Sequence, residues 1–520
     1  MKIAVDVTPI LPGGEGGGAK QLVLELLRGL GARQGNEKYV LLTSDKNHDV
    51  FAEFEQFGMK RICVIKSDAN VRLPIWDRIF NKLKREINIY RFPGLLKREG
   101  ISLLFCPMTA PNFCEAGMPT VSIVYDLQHM YYPYFFTGEE LAHRNNFYNK
   151  LKLKADFIIC ISSFTRDTVI DKLQVPSERV ISIPICVHGR LTPPGKEKMS
   201  MVLSKYKLYG KKYFFYPANF WPHKNHKMLL TAFNILSRKY PEQDLHLVFT
   251  GETFGRNLKT IKDAVKQMAL SDKVHFLGYL SEEELASIWA GSYSLIFPSL
   301  FEGFGIPLLE AMFFEKPILC SNSTSLPEVG GNAAIYFNPR RPDEIVTAME
   351  SILINKQLYD SLIAKGKERL KKFDYNQMIS EYISVFNQVS QINCKKEYYD
   401  IHGIYDDGWA GKTIFISFGP SNSSRIMSLE LFMPEWHSKL NSIINVKFNG
   451  SKSRKYILNR GESIQIKNEL PKKECSVQLE ISSEFIPNNG DTRSLTLMVT
   501  DLVIRNKERN NILYKHGEQI

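Results

Sequence analysis

Short apolar runs recur along the first 190 residues: KIAVDV, KYVLLTS, RICVIKS, SLLFC, TVSIVYD, DFIICIS and RVISIP. Each has the length and unbroken hydrophobicity of a buried strand. Between several of them lie helical patterns, such as AKQLVLELLRGLGA with Leu22, Leu24, Leu26, Leu27 and Leu30. Strands alternating with helices predict a parallel sheet wrapped by helices. Pro193, Pro194 and Gly195 then read as a linker. The alternation restarts at YFFYPA and continues through LHLVFTG, KVHFLG, YSLIFPS, KPILCS and AAIYFN. A helical stretch over 341–391 closes this second unit.

The pattern therefore predicts two similar α/β units in tandem, facing each other across a cleft. In doubly wound sheets ligands bind at the carboxyl ends of the strands. From about residue 396 the texture changes. SIINVKFNG, ESIQIKN, SVQLEIS and SLTLMVTDLVI alternate apolar and polar positions and are split by turns such as PNNGD, which reads as an antiparallel β-sandwich. The expected division is 1–190, 191–375, a closing helix over 376–395, and a β domain over 396–520.

Composition adds little to this until charge is considered. The 520-residue chain is 44% hydrophobic and 23% charged, with a formal net charge of +12. Such an excess favours anionic partners. Nucleic acid is excluded, because no zinc-finger spacing or RNP-like run occurs and the charge is spread over both α/β units. The eight cysteines are scattered without a CxxC pair, which suggests reduced core thiols in a cytoplasmic protein. MKIAVDVTPI is too brief an apolar run for a signal peptide, and no run of about 18 apolar residues occurs. Any membrane contact is then peripheral, on the inner face. VRLPIWDRIFNKLKREINIYRFPGLLKR, residues 71–98, carries eight basic residues against Asp77 and Glu86. It is either an amphipathic surface for anionic lipid or a helix packed on its own domain with a solvated basic face.

Four segments carry candidate chemistry. FEGFGIPLLEA, residues 301–311, follows the strand YSLIFPS. Its glycines let the backbone approach a ligand, and Pro307 suits a first helical turn. Strand, glycine turn and helix start together form an anion site. Glu302 and Glu310 sit on one strand–helix junction, which is a poor arrangement for an acid/base pair flanking a scissile bond. It suits two carboxylates holding hydroxyls on either side of a bound diphosphate. NFWPHKNHKMLL, residues 219–230, offers Lys224 to a leaving diphosphate. PGGEGGGAKQL, with Gly16 and Gly17, is a flexible loop after the first strand. In VYDLQHMYYP, Asp126 or His129 can orient an acceptor hydroxyl or take its proton.

PSLFEGFGIPLLEAM followed by KPILCSNSTSLPEVGGNAAIYFNP resembles the signature of retaining glycosyltransferase family 4, whose GT-B fold pairs two Rossmann-like domains. The resemblance covers roughly residues 1–390. It implies that Glu302 bonds donor-sugar hydroxyls, that the amides around Phe304, Gly305 and Ile306 hold sugar and diphosphate, and that Glu310 holds the ribose. It places Gly16, Gly17 and Gly251 with the donor and implies a nucleotide-diphosphate sugar substrate with no metal and no cofactor; no D-x-D occurs. The family's arginine five residues before Lys224 is here Asn219. Either a nearby histidine, His223 or His226, supplies the charge or Asn219 gives a neutral hydrogen bond. DDGWAG and GDTRSL are similar to β-sandwich extensions of polysaccharide-assembly enzymes; there Trp409 either stacks on a sugar or packs in the core.

The expected function is hexosyl transfer to a glycan or polyprenyl-linked acceptor in surface-polysaccharide assembly. A phosphorylase or hydrolase on the same fold, and a glycan-binding protein with a degenerate core, stay as alternatives.

Overall fold

The structure is a computed structural model that describes residues 1–12, 17–33, 35–65, 94–115, 117–251, 255–392, 399–405, 408–419, 421, 423–449, 452–473, 475–486, 494–505 and 510–515. Gly16, residues 71–93 of the basic stretch, Cys394, Asp406, Asp407 and residues 490–493 lie outside the described residues. The chain divides into two compact units. One comprises Met1–Ile62, Phe105–Pro111 and Val121–Val389; the other comprises Cys63–Leu104, Asn112–Thr120 and Ser390–Ile520.

Seven strands form the first sheet: β1 (Lys2–Asp6), β2 (Lys38–Ser44), β3 (Lys60–Ile65), β4 (Leu103–Cys106), β5 (Thr120–Val124), β6 (Phe157–Cys160) and β7 (Val180–Ser182). Their order is β3-β2-β1-β4-β5-β6-β7. Six more form the second: β8 (Lys212–Pro217), β9 (Leu245–Thr250), β10 (Val274–Phe276), β11 (Ser294–Phe297), β12 (Ile318–Ser321) and β13 (Ala334–Phe337), in the order β10-β9-β8-β11-β12-β13. The ladders β1–β2, β5–β6, β8–β9 and β11–β12 are parallel. All thirteen strands fall in runs anticipated from the sequence. They read clearly because both faces of a helix-covered sheet are apolar; β9 is buried at all six positions. The order reverses between β1 and β4 and between β8 and β11, the switch points where ligands bind.

The stretch 341–391 is three helices, Pro342–Ile354, Lys356–Leu370 and Tyr375–Ser390. Asn355 caps the second through Leu358 N at 2.9 Å, and Asp374 accepts from Gln377 N at 2.7 Å at the start of the third. That third helix does not close the second sheet as the sequence suggested. It packs on the first, where Tyr375 Oη donates to the Glu25 carbonyl at 2.6 Å and the Phe386 ring meets Phe105 at 4.9 Å. Its buried face of Met378, Ile379, Tyr382, Ile383, Phe386 and Val389 requires a second apolar surface, and the helices beside β1 provide it.

The C-terminal strands are β14 (Tyr399–Ile404), β15 (Ala410–Phe418), β16 (Arg425–Phe432), β17 (Asn441–Phe448), β18 (Arg454–Asn459), β19 (Ser463–Leu470), β20 (Cys475–Ile481), β21 (Met498–Arg505) and β22 (Asn510–Lys515). They form antiparallel sheets ordered β14-β15-β20-β17-β18 and β19-β16-β21-β22. Ile414, Ile416, Val446 and Val477 of one sheet share a core with Met427, Leu429, Ile466 and Leu502 of the other. That is the expected sandwich. β20 shows strict alternation of buried and half-buried residues, as one-sided burial requires. Trp409 packs against Trp436 and Phe485 at 5.5 and 5.3 Å.

Among the described residues the cysteines are buried except Cys63. No described helix is long and apolar enough to cross a membrane.

Candidate active site

The candidate strip begins where β11 ends. The chain runs through Glu302 to Gly305, whose φ of +99° is left-handed backbone. A Cβ at Gly305 would fall 2.6 Å from Leu326 Cδ2, so glycine is required there twice over. The helix Ile306–Phe313 then starts with Pro307 in its first turn. Thr324 and Ser325 brace the turn: Glu302 N donates to Thr324 Oγ1 at 3.1 Å, and Ser325 Oγ donates to the carbonyls of Glu302 and Phe304 at 3.0 and 3.1 Å.

Lys224 closes a 3-10 turn after β8, and its Nζ lies 2.7 Å from Glu302 Oε1. The two side chains are 15% and 12% exposed, sheltered but open to a ligand. Asn225 locks this turn to the strip, donating to the carbonyls of Pro298 and Pro339 at 3.1 and 2.7 Å. Tyr216 Oη donates to the Lys224 carbonyl at 2.8 Å. Asn219 and Gly251 meet, since a Cβ on Gly251 would stand 2.7 Å from Asn219 Oδ1.

The histidines do not replace the missing arginine. Burial, with the Lys224 charge beside them, pushes His223 down to about 2 and His226 down to about 3. His226 is wedged among Tyr216, Phe220 and Phe249 with ring centroids 4.8, 4.8 and 5.1 Å away. Both rings are neutral at working pH, because an uncompensated charge there would be desolvated.

Glu310 is 3% exposed, and both its oxygens are engaged. Oε1 accepts from Arg190 Nη2 at 2.6 Å and Oε2 from Trp289 Nε1 at 3.0 Å. Burial raises its pKa, while Arg190 and Trp289 oppose the rise. Arg190, in the turn His188–Arg190, also reaches Glu282 at 3.3 Å. Sequence reasoning singled out neither Arg190 nor Trp289.

From the first sheet, the helix Gly17–Ala32 abuts the donor helix: a Cβ on Gly18 would come within 2.9 Å of Ile306 Cδ1. Lys20 Nζ donates to the carbonyls of Leu11 and Pro12 at 3.0 and 2.9 Å. Beyond β5, Asp126 Oδ1 accepts from Gln128 N at 3.0 Å. Burial raises its pKa above the usual carboxylate range; the backbone bond from Gln128 and the charges of Arg144 and Lys224 oppose this, and Glu302 adds to it. His129 is buried and stacked on Tyr148, 5.1 Å and 8° between rings. Burial lowers it to about 4, so it is a neutral packed ring. Asp126 is the member of this pair that feels the Lys224–Glu302 charges.

Gly303 joins the two halves. A Cβ there would fall 2.0 Å from the Tyr125 carbonyl oxygen and 3.3 Å from Asp126 Cβ. Its carbonyl accepts from Ser162 Oγ at 2.6 Å and Thr165 Oγ1 at 3.2 Å. Ser162 caps the helix Ser163–Leu173, and Glu328 from the second half takes the N–H groups of Ser163 and Phe164 at 2.8 and 3.1 Å. ISSFT carries a cap signature and LPEV belongs to the quoted motif. Their partners lie more than 130 positions away, which no local pattern reports.

The geometry defines two parallel-sheet α/β layers with a lysine–glutamate pair beside the start of the Ile306–Phe313 helix. A family model for "Glycosyl transferases group 1" matches residues 204–369, and one for "Glycosyltransferase Family 4" matches residues 16–188. The chain belongs to the family 4 type of glycosyltransferase, with the GT-B fold. It is 28% identical over 236 residues to O-antigen chain mannosyltransferase B of Escherichia coli, covering 45% of this chain and 60% of that protein. It is 29% identical over 277 residues to the serotype-specific mannosyltransferase WbdA of Escherichia coli, covering 52% of this chain and 34% of the relative. The chain thus spans about three-fifths and one-third of the lengths of these curated relatives. The crystal structure of Anabaena Alr3699/HepE in complex with UDP and glucose shares the fold, with a TM-score of 0.56 and 15% identity, covering 75% of this chain and 100% of that one.

Proposed function

We propose that the protein transfers a hexosyl unit from a nucleotide-diphosphate sugar to a glycan hydroxyl in surface-polysaccharide assembly, with retention of configuration. The Lys224–Glu302 pair, set at the N-terminus of the Ile306–Phe313 helix and facing Asp126, carries this reading. A diphosphate entering there separates the pair. Lys224 Nζ and the helix amides take the phosphate oxygens, and Glu302 turns to the sugar hydroxyls. As the bond from C1 to the β-phosphate oxygen breaks, charge develops on that oxygen beside Lys224. The acceptor oxygen then bonds to C1 on the same face. Its proton passes to the departing phosphate or to Asp126. Charge neutralisation by Lys224 and the helix start supports a reaction without metal or cofactor.

The relatives are mannosyltransferases of O-antigen assembly, which makes a mannosyl donor the first to test. A lipid-linked acceptor reached by peripheral membrane contact is part of the proposal, supported by the basic run over residues 71–98. The test is a transfer assay with UDP-, GDP- and dTDP-sugars and glycan acceptors, with the anomeric configuration of the product read by NMR. A product of unchanged configuration is expected. Inversion, or equal turnover with and without acceptor, overturns the reading.

A further inference from the structure

A row of aromatic rings leads from the donor strip to solvent. Phe301, the buried neighbour of Glu302, meets Tyr132 at 6.0 Å. Tyr132 stacks on Phe135 at 5.3 Å and 7°, and Tyr134 stands edge-on to both at 5.8 and 4.7 Å. The base of this row is fixed. Tyr132 Oη donates to the Leu300 carbonyl at 3.1 Å and accepts from Arg340 Nη2 at 2.8 Å. Pro133 opens the 3-10 turn Pro133–Phe135 that presents the rings. At its end Tyr134 is 70% exposed, while the exposed Arg340 lies over the Tyr132 ring, 5.8 Å from its centroid.

A large exposed ring on a rigid aromatic base that also carries a guanidinium matches the apolar C–H face and hydroxyl edge of a pyranose. Its place is two ring contacts from Phe301, outside the reach of the hydroxyl that reacts beside Glu302 and Asp126. We propose that Tyr134, on the aromatic base that Arg340 braces through Tyr132, is an acceptor subsite: a pyranose residue further back along the glycan lies on the Tyr134 ring. The subsite rests on the transferase reading above. It reads the length of the acceptor, not its tip. A membrane is the poorer occupant, because the next turn exposes Glu139 and Glu140, which an anionic surface repels.

The experiment compares wild type, Tyr134→Ala and Tyr134→Phe with acceptors of one to four hexose residues, using a donor that wild type accepts. Tyr134→Ala is expected to raise KM for the tetrasaccharide about ten-fold. KM for the monosaccharide and the rate of donor hydrolysis stay unchanged, and Tyr134→Phe matches wild type. An equal KM at every length overturns the subsite while leaving the transferase intact. Loss confined to a lipid-linked acceptor in anionic vesicles overturns it in favour of a membrane contact. Absence of transfer by wild type with every donor removes the transferase reading and the subsite with it.

Discussion

The Ser162 hydroxyl donates to the Gly303 carbonyl at 2.6 Å, across 141 positions of sequence. With Glu328 bound to the amides of Ser163 and Phe164, it holds the turn that carries Glu302 against the loop that carries Asp126. The Glu302 carboxylate and the Asp126 loop are therefore brought into register by neutral and charge-assisted hydrogen bonds.

Glu328→Ala removes the acceptor of the first two amides of the Ser163–Leu173 helix while Ser162 still caps it, a loss of roughly 0.5–2 kcal/mol. Its larger effect is expected on turnover. Displacement of the site by about 1 Å lowers the rate on the order of 100-fold, while donor affinity by titration stays within about two-fold. Glu328→Gln, which keeps one acceptor oxygen, recovers part of kcat. An unchanged kcat for Glu328→Ala would show that the two halves close without it.

Lys224→Ala is expected to lower transfer by about 10²–10³, the usual loss when a group stabilising developing charge is removed. Glu302→Gln is expected to lose activity with the fold intact, since the strip is braced through its backbone by Thr324 and Ser325. Circular dichroism checks the fold and product formation the activity. Full turnover in both variants would sink the site.

Arg190→Ala leaves the Glu310 carboxylate buried with Trp289 as its remaining donor. Removing one partner of a buried pair costs about 3–5 kcal/mol, so the urea midpoint should fall sharply at neutral pH. Arg190→Ala/Glu310→Gln should regain part of that loss. If Glu310 holds the ribose, Arg190 gives way when the nucleotide binds, and UDP or GDP should raise the midpoint more in Arg190→Lys than in wild type, because the weaker pair competes less with the ribose. Equal midpoints for Arg190→Ala and wild type would mean the pair is not desolvated.

His226 has a folded pKa of about 3, below the ordinary value near 6.5. Between these values the unfolded chain binds a proton that the folded one refuses, so acidification below about pH 6.5 favours unfolding. His226→Phe should flatten the stability curve by about 1.4 kcal/mol per pH unit over that window. Equal slopes in variant and wild type would show that His226 is protonated in the folded state.

The unread strands of the sandwich show where sequence legibility ends. Lys412, Thr413 and Ser417 interrupt β15, yet Ala410, Ile414, Ile416 and Phe418 of that strand are fully buried. A strand with one wet face and polar insertions gives a weak local signal, and its ladders to β14 and β20 define it.

By itself the sequence determined both parallel sheets and the glycine turn into the Ile306–Phe313 helix, and it singled out Glu302, Lys224 and Asp126 as candidates. Those depend on local features: continuous apolar runs, glycines at obligatory turns and a proline at a helix start. The tertiary structure alone decided that Glu310 is engaged by Arg190 and Trp289, that His223, His226 and His129 are neutral, and that Tyr375–Ser390 packs on the first sheet. It also decided that Ser162, Thr165 and Glu328 clasp the two halves. Burial and long-range hydrogen bonding set each of these outcomes, and both depend on which distant segments the fold brings together.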